Sequence, residues 1–437
     1  MHLTTRFFIA LGGLVVLVAL SFGYRVLDII WVIYLLALII LTLTDIFTLF
    51  TGKTRFTITR ETGKLLSLGD DNPIYLELKS NHDFAIRASI YDELPVQFQE
   101  RDFQMDVVLP PREERRLKYD VRPVVRGEYW WGKTNILAKT VIGLVARRHR
   151  LGSEMMVPVY PSIIQMKKYE LTAFARISTF EGIKKVRRLG HSYEFEKIRN
   201  YAEGDDIRSL NWKATGRRNA LMVNQYQDER AQQVYSVIDK SRNMHMPFNR
   251  LSLLDFAVNT SLVISNIALK KHDKAGLVTF SNKIGSTLRA ENSRTQLKKI
   301  LHALYNEKAQ PMEANYDLLY RGVKNVIKSR SLIFLYLNFE SAYAMERALP
   351  VLKKINHLHL LVVMIFENTE LMDYADNDVE FIQDIYTQTV AQKLIREKKE
   401  MVQLLRKYGV QTILSKPEDL SINTVNKYLE LKSRGLI

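Results

Sequence analysis

The sequence predicts a multi-domain chain: an N-terminal transmembrane helical hairpin, a β-sandwich, and a C-terminal doubly wound α/β domain. Three patterns predict it. Two uncharged apolar runs open the chain, a stretch of period-two alternation follows, and strand-like and helix-like segments then alternate to the end. At 437 residues the chain is too long for one ordinary domain. The patterns divide it into residues 1–52 as two membrane helices, 53–161 as the sandwich, 162–232 as a linker and signature segment packed on the α/β domain, and 233–437 as that domain.

The hairpin rests on residues 7–24, between Arg6 and Arg25, and residues 29–44, between Asp28 and Asp45, with Phe47, Leu49 and Phe50 able to extend the second run. Each is close to the roughly 20 residues that a bilayer core requires. A cleaved signal peptide is the competing reading, but no clear small-x-small site follows the first run, and a second run comes almost at once. The link around residues 25–27 is short, so both ends emerge on one side. Lys53, Arg55, Arg60 and Lys64 follow the second run, and the positive-inside bias makes that side the cytoplasm. No later run reads as a span. The expectation is therefore a two-pass protein of the cell (inner) membrane with its soluble domains in the cytoplasm.

From residue 55 to 161 the chain reads FTITR, PIYLELKSN, FAIRASIYDELP, LKYDVRPVV, EYWWGKTNILAK and MMVPVYP, with turn punctuation at Pro110-Pro111 and Arg126-Gly127. Short alternating runs rich in β-branched and aromatic residues at turn-sized intervals read as a sandwich. Trp130 and Trp131 offer either an exposed contact patch or one core residue.

The last 205 residues alternate. Residues 234–238, 276–280, 332–337, 358–366 and 410–414 read as strands, the third and fourth apolar enough to be buried on both faces. Leu251, Leu254, Val258, Leu262 and Leu269 mark one helix. Asn292 or Ser293 caps another, carrying Leu297, Ile300, Leu301 and Leu304, and Val390, Leu394, Met401 and Leu405 mark a third. Pro417 opens the last helix.

Zero cysteines excludes disulfides, thiolate metal sites and a cysteine nucleophile. The net charge of +16 is spread over every soluble segment, mixed with acids. Its one concentration sets Arg176, Lys184, Lys185, Arg187 and Arg188 against Glu181, which reads as a solvated linker beside an anionic membrane surface. No nucleic-acid module accompanies it, so nucleic acid is not an expected partner.

Residues 193–218, YEFEKIRNYAEGDDIRSLNWKATGRR, spend charged and aromatic side chains at a density matched nowhere else. Glu194, Arg199, Asp205, Asp206, Arg208, Lys213 and Arg217 are interleaved with Phe195, Tyr201 and Trp212, and Gly204 allows a turn before the paired acids. Asp205 is placed to N-cap a helix running through Ile207, Leu210 and Ala214 and ending near Gly216. The charges suit an ionic clasp, a protein-docking surface, or a general acid/base site with His191 nearby. No serine elbow, Walker loop, dinucleotide motif or H-E-x-x-H pattern accompanies them, and no catalytic residue or small-molecule substrate is identified.

This segment resembles the signature of a prokaryotic family of membrane-anchored proteins, uncharacterised-domain family fifty-eight. The resemblance implies an immunoglobulin-like sandwich and a von Willebrand A-like α/β domain. RGEYWWG and TVIGLVARR resemble the sandwich landmarks, with Thr140 in place of the usual Asp. It further implies a metal-ion-dependent adhesion site after the first α/β strand. This chain keeps Asp239 and Ser241, has Asn243 for a serine, and places Asn315 and either Asn338 or Glu340 at the remaining positions, so the site is degenerate for Mg²⁺. Relatives are associated with MoxR-type AAA+ ATPases, which implies an adaptor or scaffold working with such an ATPase on client proteins. The alternative is a metal-dependent enzyme acting at the membrane.

Overall fold

The computed structural model describes all residues except 1, 25–26, 52–55, 170–193, 204, 228–230, 377–381 and 437. The chain divides into two compact units, Met1–Ile163 and Ile164–Ile437. The basic stretch from Arg176 to Arg188, with His191, Lys53, Arg55 and Gly204, lies outside the described residues.

The first unit opens with helices α1 (Thr5–Ser21) and α2 (Leu27–Phe50), joined by a bond from the Tyr34 hydroxyl to the Ala10 carbonyl at 3.1 Å. Helix α2 is long and apolar enough to cross a membrane, and α1 is apolar but shorter, at 17 residues. The second apolar run does not end at Asp45. The helix continues to Phe50 because Asp45, fully buried, accepts bonds from the Leu144 and Val145 amides, each at 2.8 Å, and from the Thr140 hydroxyl. A carboxylate with three donors can sit inside an apolar stripe without stranding its charge. Thr140 therefore makes a polar contact of its own where the resemblance expects an aspartate.

The sandwich strands are β1 (Phe56–Glu61), β2 (Asn72–Ser80), β3 (Ile86–Asp92), β4 (Met105–Leu109), β5 (Glu114–Val121), β6 (Gly127–Trp131), β7 (Thr134–Lys139), β8 (Val145–Leu151) and β9 (Met155–Tyr160). One sheet runs β8-β7-β3-β4, with His2–Leu3 added at the β8 edge. The others run β1-β2-β5 and Leu66–Ser67-β9-β6. Alternate residues point inward, as Ile74, Leu76 and Leu78 do from β2 and Ile86 and Ile90 from β3, all fully buried. Across the core, Arg60 pairs with Asp92, which also accepts from Tyr119 and Thr134. Arg60, counted by the positive-inside bias among the basic residues after the second apolar run, is an interior cation. Of the adjacent tryptophans, Trp131 is buried and Trp130 is 60 % exposed, as strand alternation requires.

The second unit holds a hairpin, β10 (Glu194–Asn200) and β11 (Met222–Gln227), with helix α3 (Trp212–Arg218) between its strands. The α/β part follows as β12 (Gln233–Asp239), α4 (Leu253–Lys270), β13 (Lys274–Phe280), β14 (Ile284–Glu291), α5 (Gln296–Asn306), α6 (Tyr316–Val326), β15 (Leu332–Leu337), α7 (Ala342–Leu358), β16 (Leu360–Phe366), α8 (Thr369–Asp376), α9 (Ile382–Lys407), β17 (Gln411–Ser415) and α10 (Leu420–Ser433). The sheet order is β14-β13-β12-β15-β16-β17, parallel except for β14. This is a doubly wound sheet whose order reverses between β12 and β15. Leu319 and Val323 of α6, Leu352 of α7 and Met401 and Leu405 of α9 pack on Val237, Leu335 and Val363. Helix α4 meets a membrane span's requirements by length and composition, but 83 % of it is buried, so it is a core helix.

Two details differ from the sequence expectation. Edge strand β14 has no apolar run to announce it: three of its eight residues are exposed and none is fully buried. Helix α5 is entered through Thr295 without a side-chain cap, rather than through Asn292 or Ser293.

Candidate functional site

At a doubly wound sheet the ligand position lies beyond the carboxyl ends of the strands, at the reversal of strand order. Here that position is the end of β12 and β15. Asp239 closes β12 and is fully buried; its carboxylate accepts from the Ser241 amide at 2.8 Å and the Ser241 hydroxyl at 3.0 Å. Burial pushes the Asp239 carboxyl up to about 6, against the lowering effect of the two Ser241 bonds. Tyr316 stands close, its phenol raised by burial and by the Asp239 charge, and its ring meets Phe280 and Phe339 at 6.3 and 6.1 Å between centroids. These aromatics account for the dry surroundings of Asp239.

The neighbouring positions turn to other partners. The Asn243 amide donates to the Asn338 carbonyl at 3.4 Å, and the Asn338 amide returns a bond to the Asn243 carbonyl at 3.3 Å. Lys398 of α9 reaches in beside them: its ammonium donates to Asn338 Oδ1 at 2.8 Å and to the Phe366 carbonyl at 2.7 Å. Burial lowers the Lys398 amine to about 8, opposed by the charge of Glu367. Asn315 caps α6 through Leu318, and Glu340 pairs with exposed Arg242 at 3.4 Å. On the other side of β12, Lys240 pairs with Glu307 at 2.8 Å, and Glu307 also accepts from Thr279. Burial would raise the Glu307 carboxyl, but the Lys240, Ser286 and Thr279 bonds hold it below its ordinary value.

Mg²⁺ demands a near-octahedral shell of oxygens with charge to match. Of the positions implied by resemblance, Asp239 supplies one carboxylate and Ser241 a hydroxyl already bonded to it. Asn315 is a helix cap, and Asn338 already receives an ammonium. Asn243 Oδ1 is buried without a partner, the one donor-seeking atom in the set. As arranged, these residues do not fit a divalent ion.

The signature residues form a different kind of surface. Arg199 pairs with Asp205 at 2.5 Å, and Asp205 also accepts from the Ala202 amide at 2.9 Å. The Arg199 bond is the first cause holding the Asp205 carboxyl below its ordinary value. Asp205 is not the helix cap. Asp206 accepts from the Arg208 amide at 3.0 Å and caps a single turn, Ile207–Ser209. Asn211 caps α3 through Ala214 at 3.0 Å, and the helix passes Gly216 to end at Asn219 in the left-handed conformation. Trp212 and Ile207 are each 70 % exposed. Arg208, Lys213 and Arg217 are exposed, and among the described residues none of them forms an ion pair. Tyr201 is half-buried, with its amide bonded to the Leu221 carbonyl at 2.8 Å. The side chains of Glu194 and Phe195 lie outside the described residues, although their strand pairing with β11 is clear.

Residues 197–380 match the family model described as "Protein of unknown function DUF58". The match covers less than half of the chain. Among curated proteins it is similar to "Uncharacterized protein YeaD" of Bacillus subtilis (strain 168), 24 % identical over 124 residues, which is 28 % of this chain and 31 % of that protein. The chain thus aligns with about a third of that relative's length. Among solved structures it is similar to the CARDB domain of the PF1109 protein from Pyrococcus furiosus, at 15 % identity over 24 % of this chain and 86 % of that one, with a TM-score of 0.18. It is also similar to the conserved hypothetical protein BatB from Bacteroides thetaiotaomicron, at 14 % identity over 45 % and 99 % of the two chains, with a TM-score of 0.28. TM-scores this low carry no argument about fold, which rests on the observed strand order.

The match covers both the hairpin and the carboxyl end of the sheet up to β16. The sequence singles out Asp239, Ser241 and the 193–218 segment, without announcing the hairpin that holds it, and does not point to Lys398, which lies outside the match. A signal was present: Lys398 follows Leu394 by four residues and precedes Met401 by three, so it interrupts the apolar stripe of an amphipathic helix.

Proposed function

We propose that this chain is a membrane-anchored scaffold or adaptor. In this reading α1 and α2 are two passes through the cell membrane, and the soluble part, an immunoglobulin-like sandwich and a von Willebrand A-like domain, lies in the cytoplasm. The partner is a MoxR-type AAA+ ATPase acting on client proteins. The observation that carries the reading is the 70 % exposure of Trp212 and Ile207 in an ordered hairpin, flanked by exposed Arg208, Lys213 and Arg217, which form no ion pair among the described residues. Tryptophan and arginine concentrate binding energy at protein interfaces, and a fold has no reason of its own to hold an indole in water. At the sheet's carboxyl end, by contrast, Ser241 bonds to Asp239, Asn315 caps α6 and Lys398 bonds to Asn338, which leaves a donor set poor for a divalent ion and speaks for a binding module over a metal-dependent enzyme.

The test is capture of the tagged full-length protein from detergent-solubilised native membranes with and without ATP, beside Trp212→Ala. Recovery of an AAA+ ATPase with the parent, and its loss with W212A, supports the reading. Absence of any ATPase under every nucleotide condition overturns it. The topology is read separately, by labelling Lys64→Cys in intact cells: labelling from outside overturns the cytoplasmic placement.

A further inference from the structure

The outward face of the first unit's larger sheet carries an arrangement that its own residues leave unbalanced. Arg87 of β3 and Lys139 of β7 are direct cross-strand partners. Like charges opposite one another destabilise a sheet unless an anion lies between them. Arg6 adds a third cation in the first turn of α1, which has no acidic residue. Its guanidinium leans over Gly143, whose φ of +71° turns the 140–144 loop, and points toward the Val141 and Ile142 carbonyls at 3.5 and 3.3 Å. Among the described residues none of the three lies within ion-pair distance of a carboxylate, although the Lys139 charge acts on Asp106 and helps to hold its carboxyl below the ordinary value.

The three line one open cavity of ≈ 390 Å³, with buried Ala88 and Val107 also in its lining. A single carboxylate, Asp106, shares the lining, and it is engaged by Ser89 at 2.5 Å and Gln104 at 2.9 and 3.0 Å. Three cations against one anion leave the cavity at +2. Val108 in its lining is 55 % exposed, and Val141, whose carbonyl Arg6 meets, is 65 % exposed; Phe8 and Ile9, which follow Arg6 on α1, are exposed too.

We infer that this cavity binds a phosphate ester anion, the head group of an anionic phospholipid, with Arg6, Arg87 and Lys139 around the phosphate and Val108 and Val141 against the acyl region. Guanidinium and ammonium groups held in a recess at the water end of an apolar helix are what such a head group requires. The apolar rim favours a lipid over a free phosphate. This inference rests on the proposed membrane anchoring of α1 and α2, and it gives that anchor a lipid preference.

The test uses the full-length protein in detergent. Binding of dioctanoyl phosphatidylglycerol and of inorganic phosphate is measured by native mass spectrometry for the parent, for Arg87→Gln/Lys139→Gln, and for Lys79→Gln/Lys118→Gln, which removes the same charge from the other sheet. Cooperative melting establishes that each variant is folded. The expected result is at least about tenfold weaker lipid binding for R87Q/K139Q alone. Phosphate binding lost in R87Q/K139Q would support the same pocket with a soluble phosphate ester as its source. Unchanged binding in R87Q/K139Q, or equal weakening in the control pair, would overturn the proposal. Extraction of the parent from membranes by alkaline carbonate reads the anchor independently, so a failed anchor and a failed pocket give different results.

Discussion

Lys398 places its ammonium 2.8 Å from Asn338 Oδ1 and 2.7 Å from the Phe366 carbonyl, so a single amine pins α9 to the carboxyl ends of β15 and β16. Lys398→Met keeps the stem but leaves both oxygens without that donor. Each buried orphan costs about 1–3 kcal/mol, partly offset by removing a desolvated charge. The expected net loss is about 1–3 kcal/mol in urea unfolding of the second unit; an unchanged midpoint would mean that the bonds contribute nothing. The folded value of about 8 lies below the ordinary lysine value of 10.5, so the parent should gain stability relative to K398M as pH rises through that window.

Asp239 runs the other way. Its carboxyl is raised from 3.8 to about 6, so its stabilising contribution is complete below 3.8 and lost as pH rises through 6. At pH 7.5 the buried charge opposes folding. Asp239→Asn retains an acceptor for the Ser241 amide without the charge, and should stabilise the protein by about 1–3 kcal/mol at that pH. The advantage should vanish by pH 4. A destabilised D239N at pH 7.5 would show that the anion has a partner beyond Ser241.

Asp45 accepts from two amides and one hydroxyl of the 140–145 loop. Asp45→Ala should loosen that loop from α2 and cost about 2–4 kcal/mol, since three donors lose a charged acceptor. Asp45→Asn should recover only part, because its amide nitrogen cannot accept. Limited proteolysis at the loop in detergent is the readout; parent-like resistance of D45A would rule the clasp out.

Trp212→Ala should change stability by no more than about 0.5 kcal/mol, as exposed substitutions do, while abolishing ATPase capture. A large drop in melting temperature would assign the indole a packing role instead.

The strands of the doubly wound sheet were legible because β15 and β16 are apolar on both faces, a pattern that only a central strand needs. Antiparallel β14 was not, since an edge strand with one wet face looks like a loop. Asp239 and Ser241 were legible as a motif and are in contact, as their spacing requires. Asp205 was read as a cap because an acid before an apolar run is one; the chain instead spends Asp205 on Arg199 and caps with Asp206 and Asn211, residues equally able by type.

What the sequence by itself determined was therefore whatever is periodic or local: two apolar helices, alternating strands, an α/β succession and a dense signature at the start of the stretch that matches the DUF58 model. Tertiary structure decided which charges are interior. Arg60 against Asp92, Asp45 against Thr140, and Lys398 against Asn338 each join residues at least 30 positions apart. A charge in a sequence looks solvated until folding removes its water, and the partner that then stabilises it is chosen by packing rather than by spacing.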